Sequence, residues 1–248
     1  MNARADKIEL LPLYAPKTCD VFADILREKI MAGELQDGDS LPPERVMVER
    51  TGISRASVRE AIRLLEADGL IRTRAGRNGG AVVHQPNANI MVRPIELLLR
   101  GQRIPFRSVL ETREAIEPAS AGLAATYRTD EDLKILDAIC SKLENEIEDE
   151  KQFLNNNLDW HMAVVAASHN ELLIGFVKAL SKTIHAATDV EDFNSLDSRK
   201  DVSKVHMKIT DAIRSGDAAA AKRRMERHVN AYSERVLKYA PPAKISLR

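Results

Sequence analysis

Cysteine is almost absent: Cys19 and Cys140 are the only two in 248 residues. Far apart and in no metal or redox spacing, they exclude a disulfide framework and read as reduced thiols. No net charge of either sign is present, with 37 basic residues against 37 acidic ones. A global field attracting nucleic acid is therefore excluded, and any such affinity must be local. No apolar run is long enough to span a bilayer. The longest early one, IELLPLY, is broken by Pro12 and follows no basic start or cleavage site, so no membrane partner is expected and the reading is cytoplasmic. Strand-like alternation is missing beyond Pro94. What the chain does have is 44% hydrophobic residues, ample for packed cores in one large domain or two small ones.

The stretch LPPERVMVERTGISRASVREAIRLLEADGLIRTRAGRNGGAVV, Leu41 to Val83, carries the strongest functional signal. Gly52 separates two helical patterns, where a positive φ is easily accommodated. Ser54 caps the second helix, and Val58, Ala61, Ile62 and Leu65 form its buried stripe. That stripe leaves Arg55 and Arg59 facing outward at the helix start, beside the small Ala56 and Ser57. Side chains of this kind reach phosphates and base edges, although an exposed arginine pair alone also fits a solvated face. Gly69 ends the helix, and Leu70 to Thr73 and Ala81 to Val83 flank the tip AGRNGG as a ribbon. The pattern is a winged helix-turn-helix. Ahead of it, Asp20 to Ala32 places Val21, Ile25 and Ile30 on an amphipathic helix ended by Gly33 and packed on the recognition unit.

LPPER, SRAS and VREA followed by LEADGLI resemble the amino-terminal DNA-binding domain of the GntR family of bacterial transcription regulators. Carried over residue by residue, the resemblance implies DNA contacts from Arg45, Arg55, Ser57 and Arg59, with Ser54 capping and touching phosphate. The wing departs from the short glycine-arginine-glycine tip of the family. Gly76 and Arg77 are candidates for minor-groove or phosphate contact, or are simply a hairpin tip.

The expected organisation is a loose arm over 1–16, the winged domain over 17–84 with its helix-turn-helix at about 44–63, a linker over 85–94 and a second domain over 95–240. In that second domain, helices are predicted over Ile95–Arg100, Phe106–Tyr127, Asp130–Glu150, Lys151–Ser168, Leu172–Asp189, Ser198–Ser215 and Asp217–Tyr239. They make a mainly α protein with an all-α antiparallel bundle. Thr129 with Asp132 reads as a capping box, Gly216 as a stop, and Asn170 as a helix cap.

His161, His206 and His228 lie on three of these helices, with Asn157 one turn before His161. An i, i+4 pair shares a helix face, and histidines from facing helices can close a metal site or a polar network. LETREAIEP, NNNLDWHMAV, SHNELL, VHMKITDAIRSGD and RMERHV resemble the FadR-like C-terminal effector domain called FCD. That resemblance implies a divalent metal, zinc or nickel, at Asn157, His161, His206 and His228, beneath a small-molecule pocket. Asn157 stands where the family has aspartate, which removes a negative ligand. An anionic effector is expected to supply the missing charge. Arg113 matches the arginine that grips an effector carboxylate; from spacing alone it equally reads as a surface salt bridge to Glu117. Trp160, His169 and His185 read as structural, and His84 as linker surface.

These observations imply a homodimeric repressor of a metabolic operon that binds double-stranded operator DNA at two half-sites and responds to a small carboxylate or polar metabolite. The alternatives are a metal-dependent hydrolase built on the three histidines, or a ligand-binding module without DNA regulation. No HExxH pattern supports hydrolysis.

Overall fold

The computed structural model describes residues 15–74, 80–188 and 195–239. The chain divides between Pro86 and Asn87 into two compact units.

The first unit is built on three helices and a ribbon: α1 (Thr18–Met31), α2 (Glu44–Thr51), α3 (Arg55–Ala67), β1 (Ile71–Arg74) and β2 (Gly80–Val83). Gly52 ends α2 at φ 71°, and the Ser54 hydroxyl accepts the Ser57 amide at 3.0 Å to start α3. Gly69, at φ 72°, then turns the chain into β1. The strands pair antiparallel, Ile71 opposite Val83 and Arg74 opposite Gly80. Ser40 bridges Val82, and the Leu41 amide donates to the Ala81 carbonyl at 2.8 Å, so the segment before α2 is tied to the ribbon.

Val58, Ala61 and Leu65 are fully buried as predicted, and Ile62 sits half-buried at the edge of the same core. The expected face of α1 is corrected. Val21 and Ile25 are exposed, whereas Phe22, Ala23, Leu26 and Ile30 are buried against α3. Two apolar stripes run side by side on this helix, and the one holding Phe22 and Leu26 removes more apolar area from water.

The second unit contains α4 (Val92–Gly101), α5 (Phe106–Tyr127), α6 (Asp130–Asn145), α7 (Glu150–Ala166), α8 (Glu171–Thr188), α9 (Leu196–Arg214) and α10 (Ala218–Tyr239). It is all-helical among the described residues, and α5 is the central element, packed on α7, α8, α9 and α10. Thr129 and Asp132 form the predicted capping box, Asn170 caps α8 through the Leu172 and Leu173 amides, and Gly216 stops α9 at φ 74°.

Two boundaries differ from expectation by more than two residues. The stretch 85–94, read as linker, holds a 3-10 turn at Ala88–Met91 and the first residues of α4. Pro94 is tolerated there because first-turn amides have no helical acceptor. Helix α6 stops at Asn145 rather than Glu150, and Asp149 caps α7 by accepting the Gln152 amide at 3.0 Å. No helix among the described residues is long and apolar enough to cross a membrane.

Candidate nucleic-acid interface and histidine cluster

The amino end of α3 presents Ser54, Arg55, Ala56 and Arg59 on the surface, with Ser57 half-buried behind the Ser54 hydroxyl at 2.9 Å. Glu44, the first residue of α2, bridges both arginines: its carboxylate lies 2.9 Å from Arg59 Nε and 3.4 Å from Arg55 Nε. Arg45 therefore stands on a helix whose first turn touches the first turns of α3. Its own guanidinium is exposed and pairs with Glu49 at 2.6 Å. Burial opposes ionisation of Glu44, but the bonds from Arg59 and Arg55 outweigh it and hold the carboxyl below its usual range. The tip residues Gly76 and Arg77, and residues 1–14 of the arm expected over 1–16, lie outside the described residues.

In the second unit His161 of α7, His206 of α9 and His228 of α10 converge. The Nε2 atoms of His206 and His228 are 3.1 Å apart, and those of His228 and His161 3.3 Å. His161 Nδ1 faces Glu117 Oε2 at 2.7 Å, which directs its proton to that side and leaves Nε2 with the lone pair. Trp160 stacks flat on His206, centroids 3.6 Å apart, and donates Nε1–H to Thr210 at 3.1 Å, so the ring orientation of His206 is fixed by packing. Burial is the first cause lowering the pKa of all three imidazoles. For His161 the Glu117 charge opposes that shift and Arg113 reinforces it; His206 and His228 are pushed well down by burial and then by the neighbouring histidines. Three neutral imidazoles result.

Arg113 pairs with Glu117 as its spacing predicted, Nε to Oε1 at 2.6 Å, but the pair is buried, not on the surface. The same guanidinium stacks on Tyr232 at 4.7 Å, donates Nη2–H to His161 Nε2 at 2.9 Å, and lines a cavity of about 490 Å³ together with Asn157, His161 and His228. Salt bridge and pocket residue are thus one and the same. Burial works against the Glu117 charge, yet Arg113 and then His161 keep its carboxyl well below the ordinary range.

These donors fit a borderline divalent ion. Metal–nitrogen bonds of about 2.0–2.1 Å set ligand atoms about 3 Å apart; the His206–His228 and His228–His161 separations match this, all three ligand nitrogens lie within 4.8 Å of one another, and neutral imidazoles suit zinc or nickel over hard cations. The Glu117–His161 contact is the outer-shell support such ligands use. Glu117 and Glu44 received no site role from sequence. The signal for each was present, in the i, i+4 spacing to Arg113 and in the acidic half of LPPER.

Comparison with known proteins matches residues 20–82 to the bacterial regulatory proteins of the gntR family and residues 108–231 to the FCD domain. The HTH-type transcriptional regulator LutR of Bacillus subtilis is 30% identical over 207 residues, covering 81% of this chain and 92% of its own. The chain belongs to the GntR family. Like its relatives, this GntR protein with an FCD domain is a DNA-binding transcription regulator. The Glc operon transcriptional activator of Escherichia coli K12 is 28% identical over 220 residues, 85% of each chain. Among solved structures, Streptococcus agalactiae GntR shares the fold with a TM-score of 0.69 at 23% identity, covering 87% of this chain and 99% of that one. In this GntR protein His169 bonds Asp132 at 2.8 Å and serves the capping of α6, a structural role as expected.

Proposed function

We propose that this regulator senses a small organic anion in the cavity above the histidine cluster and couples its binding to occupancy of operator DNA. The observation that carries the reading is the convergence of three Nε2 atoms beside a cavity that His161, His228 and Arg113 line. His161, His206 and His228 would hold zinc or nickel, and Asn157 offers a neutral wall where an acidic ligand would add charge. The metal supplies a Lewis-acidic anchor for an anionic oxygen. Arg113, released from His161 Nε2 but still held by Glu117, turns its fork of donors to the effector carboxylate.

Arg45, Ser54, Arg55, Ala56, Ser57 and Arg59 are the operator-facing set, and a homodimer places two such sets on two half-sites. Exposed Leu97 and Leu98 on α4 and Leu172 and Phe176 on α8, two helices that pack together, give the second unit an apolar face suited to self-association. A hydrolytic reading gains nothing from the geometry, because the carboxylate nearest the cluster, Glu117, is buried and committed to Arg113 and His161.

The test is fluorescence-anisotropy binding of the purified protein to its own upstream DNA, before and after chelation, with a panel of small carboxylic acids. Specific binding that one acid changes, and that chelation makes insensitive to it, is the expected result. An acid that lowers affinity marks a ligand-released repressor, the logic expected from the sequence. Specific DNA binding that no acid alters would overturn the sensor reading.

A further inference from the structure

The cavity is more cationic than one carboxylate requires. Arg113, Arg199, Lys208, Arg224, Arg227 and Arg235 line it against one carboxylate, Asp201. The charge of Arg113 is already met by Glu117 at 2.6 Å. That of Arg199 is not. Arg199 is only 9% exposed, its Nη1 makes a long 3.4 Å bond to the Glu148 carbonyl, and its Nε is buried without an acceptor. Among the described residues no carboxylate pairs with it. A buried, uncompensated guanidinium is among the costliest groups a fold can keep, and an anionic ligand in the cavity would answer it.

Position separates this group from the histidine end. Glu148, which Arg199 touches, precedes the first turn of α7, whereas His161 lies about three turns further along that helix, at about 1.5 Å per residue. Phe153 and Leu154 of α7 and Val202 of α9 line the wall of the same cavity. We infer that the effector is an elongated dianion, one anionic group at the Arg113–histidine end and a second at Arg199, joined by an apolar chain. The inference rests on the reading of this cavity as the effector pocket.

The experiment is calorimetric titration of the full-length, nickel-loaded protein with matched mono- and dicarboxylates of increasing chain length. One arm replaces the distal carboxylate by phosphate. At the best length the dianion binds about tenfold or more tighter than its monoanion, the gain of one charge-assisted bond. Arg199→Met removes that advantage while the monoanion is held as before, and Arg199→Lys restores part of it. A phosphate arm that outbinds the dicarboxylate names a phosphorylated acid as the dianion. Equal affinity of wild-type protein for matched mono- and dianions overturns the inference, and this comparison needs no variant to fold. Equal weakening of both ligands by Arg199→Met overturns it as well. Binding of neither class would sink the effector-pocket reading itself.

Discussion

Glu117 serves two buried groups at once, Arg113 through Oε1 and His161 through Oε2. Its charge therefore fixes both the arginine fork and the tautomer of a candidate metal ligand. Glu117→Gln keeps the shape and removes the charge, and we expect nickel or zinc affinity to fall about 10–100-fold in competition with a chromogenic chelator. An unchanged affinity would leave Glu117 a structural counter-ion only. A thermal melt without metal separates the two effects, since breaking a buried pair costs on the order of 3–5 kcal/mol by itself. At this scale the sequence was legible in pairs and not in depth. The spacing of Arg113 and Glu117 on one helix predicts their contact, but whether that face meets water is decided by α7 and α10, elements remote in sequence. The three histidines could be named as candidates for the same reason, while only the packing of α7, α9 and α10 brings their ligand nitrogens within 4.8 Å of one another.

Helix α3 was the most readable element because its ends and its buried stripe are both local properties. Ser54, Gly52 and Gly69 each act through backbone bonds or φ values that a few neighbouring residues determine. Helix α1 was less readable, since two adjacent apolar stripes competed and the volume of Phe22 against α3 chose between them. The link between α2 and α3 yields a prediction at this scale. Glu44 holds the Arg55 and Arg59 guanidinia in place and also lowers the positive potential at the helix start. In Glu44→Gln the arginines lose that restraint and phosphates lose a repelling charge. Affinity for scrambled DNA is expected to rise several-fold while operator affinity gains less, so the ratio of the two constants shrinks. Anisotropy titrations on both duplexes measure it, and an unchanged ratio would show that Glu44 does not position the reading side chains. Ser54→Ala gives the companion result, a loss of about 1 kcal/mol in unfolding free energy from the missing cap bond.

For the whole molecule, the balance of 37 basic and 37 acidic residues means that DNA affinity depends on a few local cations, not on net charge. Counterion release turns this into a measurement of assembly. Each neutralised phosphate contributes about −0.9 to the slope of log K against log salt. With the proposed contacts, in which Arg45, Arg55 and Arg59 each neutralise one phosphate, one protomer would give a slope of about −3, and two protomers on two half-sites one of about −5. Between 50 and 200 mM salt the dimer should thus lose affinity about 1,000–2,000-fold and a lone protomer about 40-fold. Operator titrations across that range distinguish the two, and Arg55→Gln should reduce the slope by about 2 in the dimer but by about 1 in a monomer. A slope near −3 with the smaller change would reject binding to two half-sites, because each substituted residue then occurs once in the complex. The larger slope with the larger change requires two copies of the recognition helix on the DNA, and only that arrangement lets a ligand act by altering how the two are held.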